Sequence, residues 1–129
     1  MPITIISASL LGLLLVYLSY DVTTHRRRSR TSLGDGNDAG LIAAIRAQGN
    51  LTEYAPVGLI LIGLLEQSSA NILLVSGLAA ALVISRYMHG LTLGKANGPN
   101  IYRIISTSLT LLMLLIASIT GLIDGVSNL

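Results

Sequence analysis

The sequence predicts an all-α integral membrane protein: an antiparallel bundle of four transmembrane helices forming a single domain over residues 1–129. Three observations predict it. Charged residues make up 11% of the chain and hydrophobic residues 52%, whereas a soluble domain carries about 25% charged residues. The apolar residues fall into four runs, each close to the roughly 20 residues needed to cross a bilayer core about 30 Å thick. Short polar segments separate the runs, and short connections favour antiparallel neighbours.

The first helix is expected over about residues 3–23. It lacks a basic leading segment and a small-residue cleavage site, so it reads as a retained transmembrane helix rather than a signal peptide. The basic cluster His25-Arg26-Arg27-Arg28-Ser29-Arg30 follows it. Gly34-Asp35-Gly36-Asn37 is turn chemistry. It resembles the start of a calcium loop, but the twelfth position from Asp35 is Arg46, where a bidentate acid is required.

The second helix is expected over about 39–67, with Asp38 as its N-cap and a kink at Pro56, which cannot donate to the Thr52 carbonyl. Glu66-Gln67-Ser68-Ser69 reads as a polar turn. The third helix, about 71–90, ends in Arg86-Tyr87-Met88-His89, which puts Arg86 and His89 on one face. A breaker-rich loop containing Lys95 leads to the fourth helix, about 101–123, which opens Ile101-Tyr102-Arg103. Ser106, Thr107, Ser108 and Thr110 make its first half partly polar, and Gly121 and Gly125 form a G-x-x-x-G near its end. Trp and Phe are absent, so Tyr17, Tyr20, Tyr87 and Tyr102 are left to form the interfacial aromatic belt.

Loops one and three hold Arg26, Arg27, Arg28, Arg30 and Lys95, with Arg103 close by, and the second loop and both termini hold no Lys or Arg. The positive-inside rule then makes loops one and three cytoplasmic and puts both termini outside. With this topology Arg46, Asn50, Glu53, Arg86, His89 and Arg103, from three helices, converge near the cytoplasmic face. Arg46, Asn50 and Glu53 are spaced i, i+4, i+7, within roughly a 60° arc of one helix face and about 10 Å from first to last. An unpaired Arg or Glu in the bilayer core costs roughly 2.5–3.5 kcal/mol, so the stripe calls for a partner.

Several arginines with one carboxylate suit an anionic ligand that also carries a cationic group, because Arg pairs carboxylates bidentately and Glu pairs an ammonium. A small peptide such as glutathione has two carboxylates, an ammonium and a thiol. The chain has no cysteine, so disulfides and a cysteine nucleophile are excluded, and any thiol must come with the ligand. A free thiol titrates near 8.5, and lowering that by about 1.5–2 units requires roughly 2–3 kcal/mol. One arginine about 4 Å away supplies about 4 kcal/mol at an effective dielectric of 20.

The stretch Arg46-Ala-Gln-x-Asn50-x-x-Glu53-Tyr54-x-Pro56 resembles the signature of the MAPEG family, the membrane-associated proteins in eicosanoid and glutathione metabolism, and is similar to its leukotriene C4 synthase branch at each named position. The four-helix layout, Arg86-x-x-His89 and Arg103 extend the likeness over nearly the whole chain. The Gly34-Asp35-Gly36 turn and Ile45-Arg46 look most like the small bacterial members, the inner-membrane YecN-like group. The resemblance implies a MAPEG-like homotrimer in a bacterial inner membrane, with glutathione as co-substrate held between subunits at the cytoplasmic side. It implies a transferase in which the thiolate conjugates or reduces a lipophilic electrophile. Carried over by position, Arg46 binds a glutathione carboxylate with Asn50 assisting. Glu53 holds the ammonium or orients an arginine, Tyr54 contacts the peptide, and Arg103 stabilises the thiolate. Arg86 matches a family position at the end of helix three, with His89 beside it. One of Arg26, Arg28 or Arg30 corresponds to a first-helix arginine. Gly49 stands where the prostaglandin E synthase branch has arginine, so that isomerase activity is not expected.

Two readings from other classes stay open. Four helices and one membrane carboxylate, Glu53, suit a small proton-coupled multidrug exporter. The polar stripe could also be a structural lock in a non-catalytic scaffold, with Glu53 paired to Arg103 or Arg86. The two histidines, His25 and His89, lie too far apart in sequence to suggest a metal site. No nucleic-acid partner is expected.

Overall fold

A computed structural model of the chain describes residues 1–68, 70–93 and 101–129. The loop carrying Lys95 and the turn residue Ser69 lie outside the described residues. Four helices follow one another: α1 (Pro2–Ser29), α2 (Ala39–Gln67), α3 (Ile72–Thr92) and α4 (Ile101–Ser127). α2 and α3 form the central pair, and α1 and α4 each pack against both of them. Among the described residues α1 and α4 do not touch. Leu11, Leu14 and Leu18 of α1 meet Leu51, Ile62 and Leu65 of α2 and Val75 and Leu82 of α3 in one apolar core, which Met113 and Ala117 of α4 complete.

The chain is an all-α membrane bundle. By length and composition α1, α3 and α4 suffice to cross a membrane. α2 has the length, at 29 residues, but falls outside that group because Arg46, Asn50, Glu53, Pro56 and Glu66 interrupt its apolar run. Pro56 sits inside a continuous helix. The Thr52 hydroxyl donates back to the Gly49 carbonyl at 2.9 Å.

α1 runs to Ser29 rather than stopping near residue 23. Hydroxyls hold the extra turns: Thr23 and Thr24 donate to the carbonyls of Ser19 and Tyr20, and Ser29 to that of His25, each at 3.0 Å. Arg26, Arg27 and Arg28 lie in the last turn, where cations are favoured by the negative end of the helix dipole. Arg30 ends the helix in the left-handed conformation, φ 52°. Arg26 then folds the loop, its guanidinium donating to the carbonyls of Ser32 and Gly34 at 3.3 and 2.9 Å. Asp38 caps α2 as its position suggests, accepting from the Leu41 amide at 2.7 Å. α4 continues to Ser127, so its G-x-x-x-G is helical, and a Cβ added at Gly121 or Gly125 would meet nothing within 4 Å.

Gly58 sets the close approach of the central helices. A Cβ there would lie 2.8 Å from Leu82 Cδ2 and 3.3 Å from Met113 Cε. This packing brings the first half of α2 against the last turns of α3 and the first turns of α4, where the polar residues lie.

Candidate functional site

At that end of the bundle a pocket of about 310 Å³ opens between α2, α3 and α4. It is lined by Ala39, Ile42, Ala43, Arg46, Asn50, His89, Leu93 and Arg103. Four of the residues singled out from the sequence therefore share one cavity. Arg46 and Arg103 are exposed and His89 is buried in the pocket wall. α2 contributes Arg46 and Asn50 one turn apart, α3 contributes His89, and α4 contributes Arg103 from its first turn.

Glu53 does not line this cavity. Its carboxylate lies 4.0 Å from the Arg46 guanidinium, and both side chains are more than half exposed. Such a pair adds little stability, but it restrains Arg46 and puts a carboxylate beside the pocket rim. The alternative left open by the sequence, a lock between Glu53 and Arg103 or Arg86, does not form among the described residues, where Glu53 pairs with Arg46 within α2.

Arg86 occupies a different place. It is 2% exposed, behind the pocket rather than on its surface. Its guanidinium donates to Asn50 Oδ1. It also donates to Thr110 Oγ1 at 2.7 Å and to the Ser106 carbonyl at 3.4 Å. Thr110 in turn shares a 2.7 Å hydrogen bond with Ser85. The Tyr54 ring lies under the guanidinium, its centroid 5.3 Å away, within cation–π range. Among the described residues no carboxylate lies at ion-pair distance from Arg86, and its Nε has no partner. A buried cation is thus held by neutral acceptors and one aromatic face.

Arg28 and Arg30 are exposed at the end of α1 and do not line the pocket. Tyr54 contacts Arg86 rather than the cavity. Ser85 was not singled out from the sequence. Its signal lies in the i, i+4 pair Ser106 and Thr110 of α4, since two hydroxyl residues on one buried face require a polar neighbour. Glu66, read as part of a polar turn, instead accepts from the backbone amides of Ile3 and Thr4 at the start of α1.

A second, smaller cavity of about 180 Å³ lies between α1, α2 and α3, lined by Tyr17, Asp21, His25, Gly40 and Leu91 among others. His25 Nδ1 lies 3.0 Å from the Asp21 carbonyl oxygen and 3.4 Å from its carboxylate.

The model of the MAPEG family matches residues 4–123 of the chain. The inner membrane protein YecN of Escherichia coli K12 is 37% identical to it over 82 residues, 64% of this chain and 63% of that protein. YecN of Escherichia coli O6:H1, strain CFT073, matches to the same extent. The match therefore spans less than two thirds of the length of these curated relatives. No solved structure matches the chain.

Proposed function

The chain belongs to the MAPEG family, and from that premise we propose that it is a membrane-bound glutathione-dependent transferase acting on a lipophilic electrophile. The observation that carries the reading is the meeting of Arg46 and Arg103, from two different helices, at one open pocket. Two guanidinium groups on one cavity favour a ligand with more than one anionic group. The carboxylate of Glu53 at the rim offers a partner for an ammonium. The pocket, about 310 Å³, falls at the small end of the roughly 300–1,000 Å³ of ligand sites, which suits a tripeptide.

In this reading Arg46 pairs a glutathione carboxylate, Asn50 assists, and Arg103 faces the sulfur. The thiol releases its proton to water because the neighbouring positive charge favours the thiolate. The sulfur then forms a carbon–sulfur bond with the electrophile, and the leaving group departs with the electrons of the bond it breaks. The electrophile enters from the bilayer. The assembly is a homotrimer with glutathione between subunits at the cytoplasmic side, and both termini face away from the cytoplasm. The YecN relatives are inner membrane proteins, and we assign this chain to the same membrane. The exporter reading is weakened because Arg46 and Arg103 line the same pocket, and their charge disfavours a ligand that is cationic only.

The test is isothermal titration of glutathione into the purified protein, joined to conjugation of 1-chloro-2,4-dinitrobenzene. Saturable binding that Arg46→Ala abolishes, and conjugation that Arg103→Ala abolishes, are the expected results. Absence of saturable binding by the wild-type protein would sink the transferase reading. Conjugation that survives Arg103→Ala would remove the thiolate role of that residue alone.

A further inference from the structure

We propose that Arg86 is a positioning residue for the pocket: by donating to Asn50 Oδ1 it turns the Asn50 amide nitrogen toward the ligand, and so selects for a carboxylate at that wall. The inference rests on the glutathione reading above. A guanidinium has five N–H donors and no acceptor. The Asn50 atom facing Arg86 must therefore be the oxygen, and the NH₂ group lies on the other branch of the amide. Asn50 is half-buried and lines the pocket, whereas Arg86 is 2% exposed and does not. Among the described residues Arg86 is the only group bonded to the Asn50 side chain, so both amide hydrogens stay available to a ligand.

The orientation is enforced from behind. Arg86 is held on its far side by Thr110 Oγ1 and the Ser106 carbonyl and from below by Tyr54. It cannot swing away without leaving N–H groups unpaired in the bundle interior. The pocket surface then presents two guanidinium groups, one amide NH₂ and the His89 imidazole, and among the described residues no carboxylate lines it. That donor set fits a carboxylate and disfavours a cation or a neutral acceptor-poor group. Arg86, whose charge no nearby carboxylate offsets, adds to the positive potential at the same wall.

Asn50→Asp is the first variant. It keeps the size of the side chain and an acceptor for Arg86, and adds a counter-charge. It also replaces the donor facing the ligand with a carboxylate oxygen. For it the positioning role predicts an equal or higher unfolding midpoint together with glutathione binding weakened by about tenfold or more, the loss of one charge-assisted hydrogen bond. Because an added negative charge repels an anionic ligand whichever way the amide pointed, Asn50→Asp is read beside the neutral Asn50→Ala. A purely structural role for Arg86 predicts that Arg86→Met weakens glutathione binding equally in the wild-type and Asn50→Ala proteins, whereas the positioning role predicts that loss in the wild type alone. The measurement is isothermal titration in nanodiscs of zwitterionic lipid, with glutathione and its diethyl ester as probes. Masking the carboxylates should weaken binding to the wild-type protein and matter much less for Asn50→Asp. Wild-type protein that binds glutathione, with Asn50→Asp binding it equally tightly or with Arg86→Met weakening binding equally in both backgrounds, would overturn the positioning role and leave the transferase reading standing. Wild-type protein that binds no glutathione would overturn the transferase reading itself.

Discussion

The carboxylate of Glu66 takes two hydrogen bonds from Thr4, one from its backbone amide at 2.9 Å and one from its hydroxyl at 2.6 Å. A third comes from the Ile3 amide at 2.9 Å. The end of α2 thus caps the start of α1, where the amides of the first turn have no partner within their own helix and a negative charge is favoured. Glu66→Leu is expected to lower the unfolding midpoint and to speed hydrogen exchange at the Ile3 and Thr4 amides. Glu66→Gln, which keeps an acceptor, should have a smaller effect. Exchange measured by mass spectrometry decides it: unchanged protection of the first turn of α1 in Glu66→Leu would show that the contact contributes nothing.

The other cap is legible in the sequence. Asp38 precedes an apolar helical run, and its carboxylate meets the Leu41 amide. Asp38→Ala is expected to cost about 1 kcal/mol, the usual loss on removing an N-cap, measured by denaturant titration in detergent micelles. No change in midpoint would mean that Asp35 or a water takes over the cap.

How far the sequence could be read follows from the range of each interaction. The four helices and the start of α2 were set by hydrophobic runs and local caps, which need no partner elsewhere. The convergence of Arg46, Asn50, His89 and Arg103 was legible because alternating topology sends them to one end of the bundle. The partner of Arg86 was not legible. Its choice among Asn50, Glu53 and a ligand depends on rotation of α3 about its axis, set by core contacts such as Gly58 against Leu82. Glu66 was missed for the same reason, since its partners lie 62 and 63 residues away. α1 outlasts its apolar run by about six residues because the hydropathy drop near His25 ends that run and not the helix.

The close approach at Gly58 has a direct consequence. Gly58→Ala places a methyl group 2.8 Å from Leu82 Cδ2, and Leu82 is fully buried. Overpacking of this kind costs about 1–3 kcal/mol. The pair Gly58→Ala with Leu82→Val, which trades one methyl for another, should be less destabilised than the sum of its two single variants. A pair destabilised by the full sum would place the clash elsewhere.

Thr110 is the most committed hydroxyl in the network, bonded to Arg86, Ser85 and the Ser106 carbonyl. Thr110→Val keeps the shape and removes the acceptor. It is expected to cost about 1–3 kcal/mol, because an Arg86 donor loses its best partner in a buried site. Ser85→Ala should cost less, as Ser85 touches Arg86 only through Thr110. The two unfolding free energies, measured side by side, test the order, and a larger loss for Ser85→Ala would contradict it.

The neutral acceptors around Arg86 come from both sides in sequence: Asn50 from α2, already made, and Ser106 and Thr110 from α4, still to be made when α3 leaves the ribosome. An arginine in a nascent membrane segment is poorly tolerated by lipid until its partners arrive. Arg86 therefore lacks its Ser106 and Thr110 acceptors until α4 is synthesised, and the last helix to be translated completes the seat of the third.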